Sequence, residues 1–144
     1  MPESPGWIVW ALLSALFAAL TAVFAKVGLE GVDSDFATLI RTGVILVVLS
    51  ALVVGLGKWR DPTALPGRSL VFLTLSGLAT GASWVCYFRA LKVGDASQVA
   101  PVDKLSVVLV ALFAAAFLGE RLSVREWLGI GSVGLGMILL SLRR

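Results

Sequence analysis

Long stretches without a charged side chain punctuate this chain, and they constrain its fold more than any other feature. Ser4 to Ala25 and Ser69 to Phe88 carry no charge at all. Each is close to the roughly 20 apolar residues that a helix needs to cross a bilayer core. Of three further apolar stretches, one is interrupted only by Arg41, one holds the pair Asp103–Lys104, and the shortest carries no charge. Spans are therefore expected at about 7–28, 36–56, 69–91, 98–118 and 127–142. The last is short and would lean on snorkelling by Arg125 and Arg143. Composition agrees: 58% of the 144 residues are apolar and only 15% are charged, against about a quarter charged in soluble domains. The expected fold class is an all-α integral membrane protein with five transmembrane helices. A disordered chain and a nucleic-acid-binding module are excluded.

The residue inventory narrows the chemistry. There is no His, and Cys86 is the single cysteine, so imidazole chemistry, disulfides and CxxC motifs are absent. No nucleophile–base pair, metal cluster or phosphate loop is visible, and no enzyme activity, metal or cofactor is expected; Cys86 reads as a small packing residue. The connectors around Glu30–Asp35, Gly57–Arg68, Lys92–Ser97 and Gly119–Glu126 are polar, bear Gly or Pro, and are too short to hold a domain outside the membrane. The N-terminus lacks a signal-peptide pattern, since its one charged side chain is Glu3. Gly129 to Gly134 spells GxGxxG but follows no strand, so the dinucleotide reading is void. Gly129, Ser132 and Gly136 instead offer a small-residue face for helix packing or a dimer, as do Gly77 and Gly81.

Orientation follows the Lys/Arg bias of short loops. The face with the second and fourth loops carries Lys58, Arg60, Arg68, Arg121 and Arg125, and the opposite face carries Lys92, Arg143 and Arg144. Counting the helix-end cations Lys26 and Arg89 makes it five against five. Such a flat bias permits insertion both ways; the alternative is that loop counts predict small proteins badly.

Ionisable groups inside spans are costly and usually face protein or water. Lys26, Arg41, Arg89, Asp103 and Lys104 all fall toward one end of the expected bundle, with Glu30, Asp33, Asp35 and Asp95 at its rim. Lys26 and Arg89 can snorkel and form salt bridges, whereas Arg41, Asp103 and Lys104 lie deeper and are candidates for a solute path or gate. Ser76, Thr80, Ser83 and Tyr87 share one face of the third helix. That face either lines a cavity or hydrogen-bonds within the bundle. Trp84 and Tyr87 could stack on a solute.

Two motifs then bring a known pattern into view. Ala90-Leu-Lys-Val-Gly-Asp-Ala-Ser97 with Val99-Ala-Pro101, and Phe117-Leu-Gly-Glu120 continuing to Trp127-Leu-Gly129, resemble EamA domains of the drug/metabolite transporter superfamily. Phe24-Ala-Lys-Val-Gly28, Arg41 and Asp103-Lys104-Leu105-Ser106 fit the same pattern. The resemblance spans the whole chain and implies one EamA-type half-transporter unit over 1–144, whereas most of the family joins two such units in inverted orientation. It also implies movement of a small metabolite across a bacterial or archaeal cytoplasmic membrane.

Five helices cannot enclose a path that opens to alternate sides, and transporters place their sites between inverted repeats. The expected working form is therefore a secondary transporter acting as an antiparallel, dual-topology homodimer in the lipid bilayer. The cationic layer would favour an anionic or zwitterionic solute, and Asp103 or Glu120 could carry a coupling proton. The alternative function is a non-transporting membrane subunit that pairs with another protein.

Overall fold

A computed structural model describes residues 6–142, and among them the chain is predominantly helical, without strands. Arg143, Arg144 and the Ser4 start of the first charge-free run lie outside that range. The helices are α1 (Gly6–Gly28), α2 (Ser34–Gly55), α3 (Gly67–Val93), α4 (Ala96–Asp103), α5 (Ser106–Phe113) and α6 (Val124–Ser141). Five segments are long and apolar enough to cross a membrane, with Ala96–Leu118 counted as one discontinuous span. Their large side chains are turned outward: Trp10 is 74% exposed, Phe24 68% and Leu139 62%. Surfaces this apolar belong against lipid. The chain folds as two compact units, one of residues 24–93 and one of the residues before and after them.

In the 24–93 unit, α2 starts where Asp33 Oδ1 accepts the backbone N–H groups of Asp35 and Phe36, each at 3.0 Å. This N-cap satisfies donors that a helix start leaves orphaned. The helix ends before Gly57, whose φ of +63° only glycine adopts without strain. Asp61 then caps a single 3₁₀ turn, Pro62–Ala64, by accepting from the Thr63 amide at 2.9 Å and its hydroxyl at 2.7 Å. The Thr63 hydroxyl, helped by the Thr63 amide, holds the Asp61 carboxyl below its ordinary pKa. Beyond this connector α3 packs on α2, and Leu29, Thr38, Phe88 and Leu91 form the buried centre.

The other unit contains the body of α1 and α4 to α6. Its buried positions are small: Ala22, Ala111, Ala114 and Gly134. A Cβ at Gly134 would lie 3.1 Å from Val108 Cγ2, so glycine is what lets α6 approach α5 there. A reciprocal capping box starts α6: the Ser123 N–H donates to Glu126 Oε2 at 2.6 Å, and the Glu126 N–H donates to Ser123 Oγ at 3.4 Å. The helix thereby begins at Val124 rather than Trp127 and reaches 18 residues.

The fourth span is not the single helix expected for 98–118. Because α4 starts at Ala96, Pro101 sits inside the helix, not in its first turn, and cannot donate to the Ser97 carbonyl. Just beyond it the ladder tightens to i→i−3 bonds, Lys104 to Pro101, Leu105 to Val102, Val107 to Lys104 and Val108 to Leu105, all 3.0 Å. The span ends in a π turn, Ala114–Leu118, closed by Gly119 at φ +69°.

Candidate solute site in the membrane spans

Within the 24–93 unit, the four cations of the helix ends near Leu29, Asp35 and Leu91 and of the α2 span sort into two kinds. Lys26, in the last turn of α1, donates to the Leu91 carbonyl at 2.8 Å. Lys92, in the last turn of α3, donates to the carbonyls of Leu29 at 2.8 Å and Val32 at 2.6 Å. Helix C-termini present unpaired carbonyls and partial negative charge, so both placements are favourable. Arg89 grips Asp35 with two parallel bonds, Nε to Oδ1 at 2.8 Å and Nη2 to Oδ2 at 2.6 Å. These three side chains hold helix ends together.

Arg41 is different. It lies about 10 Å along α2 from Ser34, at 1.5 Å per residue, and is half-buried. Its guanidinium carbon stands 4.4 Å from the centroid of Trp84 and 5.3 Å from that of Phe88, both on α3. Cation–π attraction holds it there. Among the described residues it has neither a hydrogen bond nor an ion pair. Tyr87 is half-buried beside the cluster, its ring 6.4 Å from that of Phe88.

Asp103 and Lys104 belong to the other unit, where they meet each other at 3.2 Å at the break in the fourth span. Glu120 follows Gly119 and is exposed in the connector before α6. Gly129 and Gly136 have no atom within 4 Å of a built Cβ, and the Ser132 hydroxyl turns back to the Leu128 carbonyl at 2.8 Å. The close approach of α6 is made by Gly134 instead. Ser76, Thr80 and Ser83 are exposed, with the Thr80 hydroxyl bonded to the Ser76 carbonyl at 2.8 Å. Cys86, expected to pack, is exposed as well. At 3.6 residues per turn it lies on the side of α3 away from Trp84, Phe88 and Leu91.

Phe88 and Lys92 carry more of this arrangement than the sequence reading gave them. Phe88 is one helical turn from Trp84 and shares its face, the signal by which it could have been found. Lys92 lies in the last turn of a helix, where a cation meets free carbonyls.

A model of the EamA-like transporter family matches residues 5–142. The chain belongs to that family. Relatives of this EamA chain include an uncharacterized transporter in the cobO 3′ region of Sinorhizobium sp, 61% identical over 138 residues, which are 96% of this chain and 98% of that one. The uncharacterized transporter YxxF of Bacillus subtilis is 25% identical over 95% of this chain but only 43% of its own. The probable 4-amino-4-deoxy-L-arabinose-phosphoundecaprenol flippase subunit ArnE of Yersinia pestis is 30% identical over 58% of this chain and 74% of its own. No solved structure matches. Family and relatives point to a transporter rather than an enzyme, and the five apolar spans make it a multi-pass membrane protein.

Proposed function

We propose that this EamA protein moves a small solute across the cytoplasmic membrane as a secondary transporter built from two antiparallel copies. One observation carries the pairing. The chain covers 98% of the Sinorhizobium relative yet only 43% of the Bacillus one, so the family includes both a single-unit length and a length more than twice as great. A longer chain can supply both halves of a path by itself, whereas a single unit needs a second copy. In the pair, Arg41, Trp84 and Tyr87 face the solute. The broken span at Asp103–Lys104 gates it, because discontinuous helices put polar backbone at solute depth. Asp103 is the better proton carrier of the two acids, since Glu120 sits in an exposed connector. Lys26 and Arg89 act as the framework of helix ends. Gly129, Ser132 and Gly136 form the face for the second copy.

Topology reporters fused to the C-terminus test the antiparallel arrangement. Signals from both sides of the membrane are expected, and strictly one-sided labelling overturns it. Gly136→Cys in a Cys86→Ser background should cross-link copies to one another. Cross-links only to a different chain would favour a heteromeric subunit, a reading to which the name of the Yersinia relative, a flippase subunit, lends support. Uptake of a labelled panel of amino acids and carboxylates into proteoliposomes tests transport itself. Loss of flux in the Arg41→Gln, Asp103→Asn double variant is the expected result.

A further inference from the structure

We infer that Arg41 is an oxyanion-binding site: its guanidinium, braced on Trp84 and Phe88, takes the carboxylate or phosphate group of the ligand. This deepens the transport reading and rests on it. Several acceptors around Arg41's end of the unit are already committed. Both oxygens of Asp35 are taken by Arg89, Asp33 Oδ1 caps α2, Lys26 takes the Leu91 carbonyl, and Lys92 takes those of Leu29 and Val32. Only Arg41, of these four cations, is left without an acceptor among the described residues.

A guanidinium carries five N–H donors in its plane, and stacking on rings engages its face rather than those donors. A charge kept at this depth in a span is costly unless something pairs with it. The aromatic brace also fixes the fork, which reduces the ordering cost of gripping a planar anion with two bonds. An oxyanion supplies both the missing charge and the missing acceptors. A cationic ligand would add like charge to an unpaired one.

The group could arrive on a dissolved solute or on a lipid headgroup, and the experiment separates them. A variant retaining Trp84 as its sole tryptophan (Trp7, Trp10, Trp59 and Trp127 each→Phe) reports on the ring against Arg41. The full chain is placed in nanodiscs of neutral phosphatidylcholine and titrated with benzoate, inorganic phosphate or benzyl alcohol. A saturable change in Trp84 emission is expected for at least one anion and not for the neutral alcohol. Arg41→Gln should weaken that response at least about tenfold, the loss of a charge-assisted pair, and Arg41→Lys should weaken it less. If phosphatidylglycerol in the disc alone gives an Arg41-dependent change and competes with the added anion, the oxyanion comes from lipid. The inference falls if none of the anions or the anionic lipid gives a response, if the alcohol matches them, or if Arg41→Gln and Arg41→Lys both respond as the parent does. Proteoliposome uptake of a cation by that same non-responding protein would overturn the inference while leaving transport standing.

Discussion

Lys26 and Lys92 close each other's helices: the Lys26 ammonium reaches the Leu91 carbonyl at the end of α3, and the Lys92 ammonium reaches the Leu29 carbonyl just past the end of α1. Each cation sits where a helix terminus leaves carbonyls unpaired and carries partial negative charge. The exchange ties the start of the first connector to the end of α3 without using a carboxylate. That frees Asp35 for Arg89 and leaves Arg41, of these four cations, without an acceptor among the described residues.

Removing either lysine should therefore loosen the 24–93 unit without touching Arg41. Lys26→Met loses the charge-assisted bond to the Leu91 carbonyl, and Lys92→Met loses those to Leu29 and Val32. A cost of about 1–3 kcal/mol is expected for each, read as a shift in the unfolding midpoint of the purified protein in detergent. Trp84 emission should stay at the parent value in both. An unfolding midpoint unchanged from the parent in either variant would contradict the crosswise capping.

The connector carries a pH signature of its own. Thr63 holds the Asp61 carboxyl below its ordinary value in the folded chain. A depressed carboxylate adds stability that is fully present above the unfolded pKa and fades as pH falls through the folded one. Thr63→Val removes the hydroxyl donor and should move the Asp61 titration upward, toward the ordinary carboxylate range. Carboxyl carbon shifts followed against pH by NMR would show it. An unmoved midpoint would mean the amide bond alone sets the value.

How much of this was legible in the residues depends on what kind of signal each feature leaves. Charge-free stretches mark membrane spans directly, because the bilayer penalises charge wherever it sits. Arg41 was visible for the same reason, as a charge inside a span, and Trp84 as a large amphipathic ring in mid-helix. Phe88 was not, since one more phenylalanine among apolar residues carries no signal until the facing helix is known. The break after Pro101 was only half legible. The proline marks a lost hydrogen bond, but where the ladder retightens depends on backbone geometry further on. Gly134 was hidden among Gly129, Gly131 and Gly136, because which glycine meets a neighbour is decided by the rotation of α6 against α5.

Pro101 and the tightened ladder behind it break the fourth span, and substitution can make it continuous. Pro101→Ala restores a donor for the Ser97 carbonyl and favours a continuous helix. Amide exchange at residues 104–108 should slow by about tenfold, which corresponds to about 1.4 kcal/mol in local opening. Solute flux should fall at the same time, since a gate must open to work. Slower exchange with undiminished flux would mean that the break is not the gate.

The two glycine faces of α6 make opposite predictions. Gly134 faces Val108, and Gly134→Leu should overpack that contact and cost the protomer about 1–3 kcal/mol. Gly129, Ser132 and Gly136 lie on the other side of the helix, where a built Cβ at either glycine meets nothing within 4 Å. Gly136→Leu should thus leave protomer unfolding within about 0.5 kcal/mol of the parent, as a surface change does. If this face receives the second copy, the same substitution holds the backbones apart and weakens pairing. Energy transfer between differently labelled copies in liposomes measures that pairing. A Gly136→Leu variant that pairs as well as the parent would remove this face from the dimer and send the search to Gly77 and Gly81 on α3, whose built Cβ atoms are equally free.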